Sequence, residues 1–411
     1  MKISPARRVA ASLLEAVLDD HRALEEALDA VPAGIEARDK AAGHRIAAAV
    51  LRRLGSLDAV MEPFLRREPP PPARRALRIG AAELLLLGTP AHAAVASAVS
   101  LVPKPLAGLV NAVLRRVAEA GPAALEGLDA ERLDTPAWLW AAWHAAHGPA
   151  VRAIAAAHRS EAPLDLSLKP GVAAPEGAEL LPTGTARLPA GTRITEIPGF
   201  AEGNFWAQDA AAALPALLLG ARAGERIADL CAAPGGKTAQ LAALGAEVVA
   251  VEREASRMGR LRENMARLGL GADLVNADVL KWRPEGQFDA VLLDAPCTAT
   301  GTIRRHPDVP YLKRPKDVPN LAGQQSQLLE AAARLVKPGG RLVFATCSLQ
   351  AEEGEAHLAR IPPGFRLDPI RDGELPGIAP AGPGALRTRP DFWSGQGGMD
   401  GFFAMRLVRE G

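Results

Sequence analysis

The sequence predicts an α/β protein in three parts: an all-helical region over 1–125, a small α+β segment over 126–210 and a doubly wound α/β domain over 211–411. Three observations support this division. Apolar residues first recur at helical spacing, then alternate over short segments, and finally fill strands that alternate with helices. With 411 residues, the chain is long enough for two or three domains, each with its own core.

The first 125 residues have the periodicity of amphipathic helices. Three segments carry apolar residues at i, i+4 spacing: Val9, Leu13 and Val17; Ile46, Val50 and Leu54; and Leu109, Val113 and Val117. Ser4 and Pro5 predict the N-cap and first turn of the first helix, and Asp39 predicts the cap of a second long helix. The prolines at 69–72 separate two of the helices. A small helical bundle is therefore predicted.

The middle segment is predicted from a change of pattern. Leu164, Leu166 and Leu168 alternate with polar residues, which is typical of a half-buried strand. The Gly- and Pro-rich stretch 170–191 predicts turns between further short strands. We therefore expect a small α+β region between two larger domains.

Beyond residue 210, strands and helices alternate, which predicts a parallel sheet covered by helices on both faces. The predicted strands are 227–231, 247–252, 288–294 and 341–346, and the predicted helices are 237–244, 256–268 and 320–336. The Gly/Pro-rich run 377–384 is predicted to be a loop.

Composition narrows the class of protein. The net charge is +1, so the chain is not basic overall, and binding of nucleic acid would depend on a local patch. No apolar run approaches the roughly 20 residues needed to cross a bilayer, and no signal core follows the first charges. Three cysteines cannot form a disulfide framework and lack metal-ligand spacing, which predicts a cytoplasmic protein without a metal site. A monomer is the default expectation.

A turn rich in small residues follows the first strand of the C-terminal domain, in the segment DLCAAPGGKT over 229–238. Glycines let a backbone approach a ligand, and the helix that follows offers free N–H groups. Glu252 and Asp278 end the next two strands, where carboxylates can hold ribose hydroxyls and an adenine amino group. A simple tight turn and ordinary helix caps would use the same residues. The spacing fits neither a dinucleotide fingerprint nor a Walker A loop, and together the three features favour a nucleoside-containing cofactor.

Two of the three cysteines follow apolar strands. Cys297 ends the segment Asp294–Cys297, and Cys347 follows the strand that ends at Thr346. Ligands of doubly wound sheets bind at the carboxyl ends of strands, so both thiols are expected to face the cofactor pocket. The alternative is that each thiol is a small buried apolar group, as lone cysteines usually are.

Methylation at C5 of a pyrimidine is a reaction that needs such thiols. C5 is a poor nucleophile until a thiolate adds at C6 and makes it enamine-like. A carboxyl such as Asp294 suits the hydrogen bond or proton at N3 that assists the addition. A base then removes the C5 proton so that the thiol can leave, and the target base must lie outside any stack.

The segments DLCAAPGGKT, DAPCTATGTIRRHPD, ATCS and DGFF resemble the Nop/Sun family of RNA cytosine-C5 methyltransferases. The similarity runs through most of 200–410, and Asn111–Arg116 resembles a helix of family members that begin with a NusB-like domain. The resemblance implies a NusB-like helical RNA-binding domain over 1–125, a linking or RNA-binding subdomain over 126–210 and a Rossmann-like class I methyltransferase domain over 211–411. It implies S-adenosyl-L-methionine as cofactor and 16S ribosomal RNA as partner.

The resemblance also assigns residue roles, which spacing alone cannot rank. It implies Cys347 as nucleophile, Cys297 as the thiol that helps release the product, and Asp294 in catalysis. The implied cofactor contacts are Cys231, Ala232, Ala233, Pro234, Gly235, Gly236, Lys237, Glu252, Asp278 and Asp294. Glu252 stands where close relatives often have Asp, and 167–169 departs from the family's Arg-x-Asn. Gln208 and Asp209 match a family pair near the pocket, although Asp209 could equally be a helix cap.

RNA contacts are predicted from clustered cations. A cationic loop after Cys297 could neutralise phosphates around a flipped base, or could be a solvated surface loop; its residues are Arg304, Arg305, His306, Lys313 and Arg314. A second patch is predicted on the helical region from arginine pairs at 52–53, 66–67, 74–75 and 115–116.

Two other functions compete with this hypothesis. The first is an RNA-binding assembly factor that keeps the fold without turnover, which the intact turn and both cysteines disfavour. The second is methylation of an exocyclic amine, which is disfavoured because 294–297 lacks the aromatic residue that usually clamps an amine in such sites.

Overall fold

A computed structural model describes residues 4–411, which form two compact units. The first contains the chain up to Ser160 together with Ile303–Arg314, and the second contains Glu161–Thr302 and Pro315–Gly411. These units divide the chain differently from the three predicted ranges, since 126–160 belongs to the first unit and 161–210 to the second. No helix within the described residues has both the length and the apolar character that crossing a membrane requires.

The first unit is helical, as predicted. Its helices before residue 160 are α1 (Pro5–Leu18), α2 (Leu24–Asp29), α3 (Ala37–Arg52), α4 (Leu54–Met61), α5 (Pro71–Leu85), α6 (Ala91–Ser100), α7 (Lys104–Ala120), α8 (Ala130–Leu133), α9 (Ala137–His147) and α10 (Val151–His158). The buried faces of α1–α7 share one apolar core, in which α1 contributes Val9, Leu13 and Val17 as its spacing predicted.

Three details of the predicted helices are wrong. α3 begins at Ala37 with Glu36 at its N-cap, so Asp39 lies in the first turn and is not the cap. Leu54 begins α4 instead of continuing α3, because the chain turns at Arg53. On α7 the buried stripe runs through Val110 and its neighbours, and Leu109 is 37% exposed. A period of four residues drifts around a helix of 3.6 residues per turn, which places Leu109 at the edge of the stripe.

The second unit begins with a small antiparallel sheet of strand order β2-β3-β1-β4. Its strands are β1 (Leu164–Leu168), β2 (Glu179–Leu180), β3 (Ala186–Leu188) and β4 (Phe205–Ala207). Arg187 on β3 makes a buried bidentate ion pair with Asp165 on β1, at 2.6 and 2.7 Å. Asp165 also accepts a hydrogen bond from the Ala210 amide at the start of the next helix. This pair fixes the small sheet to the element that follows it.

The large sheet has the strand order β11-β12-β13-β9-β8-β5-β6-β7, with β10 paired to β13. Its strands are β5 (Arg226–Leu230), β6 (Glu247–Glu252), β7 (Asp273–Asn276), β8 (Phe288–Asp294), β9 (Val336–Thr346), β10 (Phe365–Leu367), β11 (Pro380–Gly382), β12 (Ala385–Arg387) and β13 (Phe403–Arg409). The helices after residue 209 are α11 (Ala210–Leu219), α12 (Gly236–Ala243), α13 (Ala255–Leu268), α14 (Val309–Leu312) and α15 (Asp317–Leu335), of which α14 belongs to the first unit.

The predicted parallel sheet with two covered faces is confirmed by β9-β8-β5-β6-β7, whose pairs are all parallel. Along β9, Leu342 and Phe344 join the apolar core that includes α15, while Val343 and Ala345 join the core that includes α11. Alternate residues of one strand therefore support helices on opposite faces.

The antiparallel part of the sheet was not predicted. β13 pairs with β9 over six registered residues, and β12 and β11 extend the same edge. The run 377–384, predicted to be a loop, contains β11 and the turn into β12. Two- and three-residue strands leave too short a pattern of alternation to be distinguished from a loop.

Candidate active site

The carboxyl ends of the central strands form one edge of the large sheet. Leu230 on β5 is in register with Leu293 on β8, and Asp294 at the end of β8 is in register with Ala345 on β9. The segments that follow these strands therefore start side by side. The register brings the motifs that follow β5, β8 and β9 to the same edge of the sheet.

The two predicted thiols lie next to each other. The Sγ atoms of Cys297 and Cys347 are 3.4 Å apart, and both residues are partly buried. The hydrogen bond with Cys347, together with burial, raises the pKa of Cys297 well above that of an ordinary thiol. Cys297 is therefore held in its protonated form, and its thiol can donate a hydrogen bond to the sulfur of Cys347.

Cys231 lies in a different setting from this pair. Burial raises the pKa of its thiol to about 12, and the carboxylates of Glu252 and Asp294 act in the same direction. Its backbone has a φ of 62°, at the turn where β5 leads towards α12. A thiol that stays protonated is a poor nucleophile, so Cys231 is suited to contact and not to attack.

An ion pair joins the glycine turn to the end of β8. Lys237 Nζ donates a 2.7 Å hydrogen bond to Oδ2 of Asp294, while Oδ1 of Asp294 has no hydrogen-bond donor within residues 4–411. Burial opposes the charge of Lys237, but the adjacent carboxylate prevails and raises its pKa. This ion pair offers a proton on Lys237 and an acceptor oxygen on Asp294, near the strands that lead to the two thiols. Such groups can protonate a ring nitrogen of a substrate base or form a hydrogen bond with it.

The glycine turn is shaped by close packing. Gly235 has a φ of 105°, and a Cβ there would lie 2.5 Å from Cδ1 of Leu261 on α13. A Cβ on Gly236 would touch the Gln208 side chain at 3.4 Å. Gly235 is therefore required by its backbone conformation and by its neighbour, whereas a Cβ at Gly236 would make only an ordinary van der Waals contact. Gln208 lies against the turn, as the family pair implied, whereas Asp209 accepts from the Ala211 amide at 2.8 Å and is the cap of α11.

Buried acceptor atoms at this edge fit a nucleoside-containing ligand. Oδ1 of the fully buried Asp229 has no hydrogen-bond partner within residues 4–411, and burial raises the pKa of this carboxyl to about 7. Glu252 accepts from the Glu254 amide at 2.9 Å at Oε1, and its Oε2 has two longer contacts, 3.4 Å from the Ala233 amide and 3.5 Å from Nη1 of Arg257. Asp278 uses one oxygen, Oδ1, to accept from the Leu280 amide at 3.0 Å. Each carboxylate keeps acceptor capacity for a ligand.

One buried residue at this edge was missed by the sequence analysis. The carboxylate of Glu353 is 0% exposed and accepts hydrogen bonds from Thr298 and Ser348, the residues that follow the two cysteines. The sequence shows only three similar glutamates at 352, 353 and 355. Nothing in the pattern distinguishes the buried one from its neighbours.

The cationic residues of the predicted RNA-binding loop differ in how far they are exposed. Residues 303–314 belong to the helical unit, where the Tyr311 hydroxyl donates to the Leu51 carbonyl at 2.8 Å. Arg304 is only 2% exposed, so its side chain is buried in this structure, and its contact with phosphate stays a prediction that burial disfavours. Arg305 and Lys313 are partly buried, and His306 and Arg314 are exposed. The loop packs because apolar residues are interleaved with its cations.

The arginine pairs of the helical unit separate into two groups. Arg53, Arg74 and Arg75 are held in ion pairs with carboxylates of the same unit. By contrast, 66–67 and 115–116 are exposed at or beside a groove of about 560 Å³. Apolar residues and cations line this groove together, including Phe64, Leu106, Leu109, Arg66, Arg67 and Arg116. Only the second group has the exposure that a predicted patch requires.

Comparison with known proteins identifies relatives along the whole chain. The model of a family described as 16S rRNA methyltransferase RsmB/F matches residues 216–408, and that of the NusB family matches 4–119. The ribosomal RNA small subunit methyltransferase B of Vibrio cholerae serotype O1 is 36% identical, with 99% of this chain and 98% of the relative covered. The protein of the same name from Pseudomonas syringae pv. tomato is also 36% identical, over 98% and 96%. A solved methyltransferase homologue from Pyrococcus horikoshii has a TM-score of 0.54 and 27% identity, covering 66% of this chain and 93% of its own.

Proposed function

This chain belongs to the family of ribosomal RNA small subunit methyltransferase B, and on that premise we propose that it transfers a methyl group from S-adenosylmethionine to C5 of a cytosine in 16S ribosomal RNA. The observation that carries the proposal is the pair of sulfur atoms 3.4 Å apart at the carboxyl edge of the sheet. Two thiols at that distance can reach the same pyrimidine ring, which C5 methylation requires and methylation of an amine does not.

We assign the cofactor to the ends of β5, β6, β7 and β8. S-adenosylmethionine would supply a methyl group on a sulfonium at this edge. Glu252 would accept from the ribose hydroxyls and Asp278 from the adenine amino group, each with the oxygen that its own backbone contacts leave available. The turn 231–237 would cover the remaining part of the ligand with backbone groups, helped by the N-terminus of α12.

The chain's own groups account for the proposed chemistry step by step. The Cys347 thiolate attacks C6 of the flipped cytosine, and N3 takes a proton or hydrogen bond from the Lys237–Asp294 pair. The electron pair thus gathered at C5 would form the new bond to the methyl group, while the bond between that methyl group and the donor sulfur breaks and its electrons stay on the sulfur. Cys297, after releasing its own proton to water, would accept the proton from C5 as a thiolate. The C5–H electrons restore the C5–C6 double bond, the Cys347 thiolate leaves C6, and N3 returns any proton to the Lys237–Asp294 pair.

RNA is proposed to bind the helical unit at the groove beside α7, which we call the arginine groove. It consists of Phe64, Arg66, Arg67, Leu106, Leu109 and Arg116, with Arg115 exposed beside them. The guanidinium of Arg116 lies 6.0 Å from the centre of the Phe64 ring. Exposed guanidinium groups next to an aromatic ring suit a phosphate backbone with an unstacked base. His306 and Arg314 remain candidates for further contacts on the same unit.

Changing the arginines of this groove is expected to weaken RNA binding without altering chemistry. Arg66→Gln or Arg67→Gln removes one phosphate contact, so the slope of log affinity against log salt should fall by about 1 and kcat should stay unchanged. Filter binding across a salt series measures this. Arg38→Gln is the matched control, because Arg38 is exposed but paired with Glu36 and lies outside the groove. An unchanged slope in both groove variants would remove the arginine groove from RNA binding.

The proposed function is tested by incubating the protein with labelled S-adenosylmethionine and unmodified small-subunit RNA. We expect labelled RNA in which a single cytosine resists bisulfite conversion. A folded, cofactor-binding protein that transfers no label to naked RNA or to partly assembled subunits would contradict the proposal. That outcome would favour an RNA-binding assembly factor instead.

A further inference from the structure

The carboxylate of Glu353 connects the two cysteine segments inside the second unit. Its Oε1 accepts from the Thr298 amide at 2.9 Å, and its Oε2 accepts from the Ser348 hydroxyl at 2.6 Å and from the Thr298 hydroxyl. Thr298 directly follows Cys297, and Ser348 directly follows Cys347. One side chain is therefore bonded to the neighbour of each reactive thiol.

A second layer holds this carboxylate in place. Gln325 on α15 donates from Nε2 to Oε1 of Glu353 at 3.0 Å and to the Pro296 carbonyl at 2.9 Å. Its own Oε1 lies 3.0 Å from Nε2 of His357, and burial lowers the pKa of that histidine to about 4. The imidazole is therefore neutral, and it fixes the orientation of the Gln325 amide.

All four donors to the Glu353 carboxylate are neutral groups. A buried carboxylate is expensive unless its oxygens are saturated with hydrogen bonds, so this arrangement is stable only in one geometry. A shift of either cysteine segment by about 1 Å would break bonds from Thr298 or Ser348 and leave a buried charge undercompensated. The network therefore resists any change in the relative position of the two segments.

We propose that Glu353 is a positioning residue that sets the separation of the Cys347 and Cys297 thiols, so that one can attack C6 while the other reaches the proton at C5 of the same ring. This inference rests on the proposed function. Glu353 touches no reacting atom and acts through Thr298 and Ser348.

The same carboxylate also acts on Cys297 electrostatically. After the hydrogen bond with Cys347, burial and the charge of Cys347, the charge of Glu353 also raises the pKa of Cys297. A thiol with a raised pKa is a weak nucleophile at neutral pH but a strong proton acceptor once ionised. That character suits removal of a proton from C5.

The test compares Glu353→Gln and Glu353→Asp with wild type and with Glu352→Gln, a matched control in which the adjacent, exposed glutamate is changed. The Gln variant keeps the volume but places an amide donor among donors, and the Asp variant keeps the charge but is too short to reach both segments. We expect kcat to fall by about 30-fold or more in both, with the KM for RNA and the Kd for S-adenosylhomocysteine within about threefold of wild type. The control should behave as wild type.

A second readout separates positioning from a general structural role. The pH midpoint for alkylation of Cys297, measured by peptide mass spectrometry, should fall in Glu353→Gln and stay higher in Glu353→Asp, because only the Gln variant loses the negative charge. If the Gln variant fails to fold, the Asp variant still reports the loss of kcat. If either variant folds and keeps a normal kcat while the wild type is active, the inference on Glu353 is wrong and the proposed function is unaffected. Equal alkylation midpoints in Glu353→Gln and Glu353→Asp would lead to the same conclusion. Wild-type protein that transfers no methyl group would instead contradict the proposed function.

Discussion

Replacing Cys347 by alanine is expected to abolish methyl transfer to RNA while leaving cofactor binding intact. Without the thiolate, C5 of cytosine is not activated, and the rate should fall by a factor on the order of 10⁴ or more. Cofactor binding should survive because the proposed cofactor contacts lie on β5, β6, β7 and β8, whereas Cys347 follows β9. Single-turnover transfer from labelled S-adenosylmethionine, and calorimetry with S-adenosylhomocysteine, measure the two properties separately.

Cys347→Ser is the matched variant for this experiment. It restores a polar atom of similar size, so a packing defect at 347 would be relieved, whereas the missing thiolate would not be replaced by a hydroxyl of much higher pKa. Both variants should therefore be inactive, with melting temperatures close to that of wild type. A serine variant with more than about one hundredth of the wild-type rate would mean that position 347 does not supply the nucleophile.

The parts of the fold predicted well from sequence are those with long periodic segments. β6 and β8 coincide with the predicted ranges 247–252 and 288–294, since each is a mostly apolar segment that ends at a carboxylate. α13 begins one residue before the predicted 256. In these segments local pattern and tertiary burial agree, which is why sequence alone suffices.

The parts that sequence could not supply depend on contacts between distant residues. Arg304 sits in a basic run, yet it is buried because residues 303–314 pack with the helical unit. Glu353 differs from the neighbouring glutamates through its hydrogen bonds with Gln325, which is 28 residues away in the sequence, and with Thr298, which is 55 residues away. Charge pattern predicts which side chains can bind a ligand, but it does not predict which of them the fold buries.

The candidate site likewise has residues that the sequence predicted and residues whose roles the sequence could not rank. The motifs identified both cysteines and the turn 229–238, because ligands of doubly wound sheets collect at strand ends. The ranking of Cys347 above Cys297 came only from resemblance. The hydrogen bond with Cys347 and burial raise the pKa of Cys297, which suits a thiol that accepts a proton after it has ionised. The second large effect concerns this residue.

Replacing Cys297 by alanine is expected to trap the enzyme as a covalent complex with RNA. Attack by Cys347 and methyl transfer do not require the second thiol, but removal of the C5 proton does, so the Cys347–C6 bond persists. The adduct fraction should exceed that of wild type by about tenfold or more. Denaturing gels with a labelled RNA fragment show the adduct as a slowly migrating band, and mass spectrometry of the complex shows whether the methyl group has been transferred.

The double variant Cys297→Ala/Cys347→Ala is the control, and it should form no adduct because the attacking sulfur is absent. If Cys347→Ala forms the adduct and Cys297→Ala does not, the two roles are exchanged and Cys297 is the nucleophile. If the band carries RNA without the added methyl group, Cys297 acts before methyl transfer, and another group must accept the C5 proton. The two sulfur atoms lie 3.4 Å apart, which brings both thiols within reach of one ring. This distance favours attack by Cys347 and removal of the C5 proton by Cys297, with a methylated adduct in Cys297→Ala.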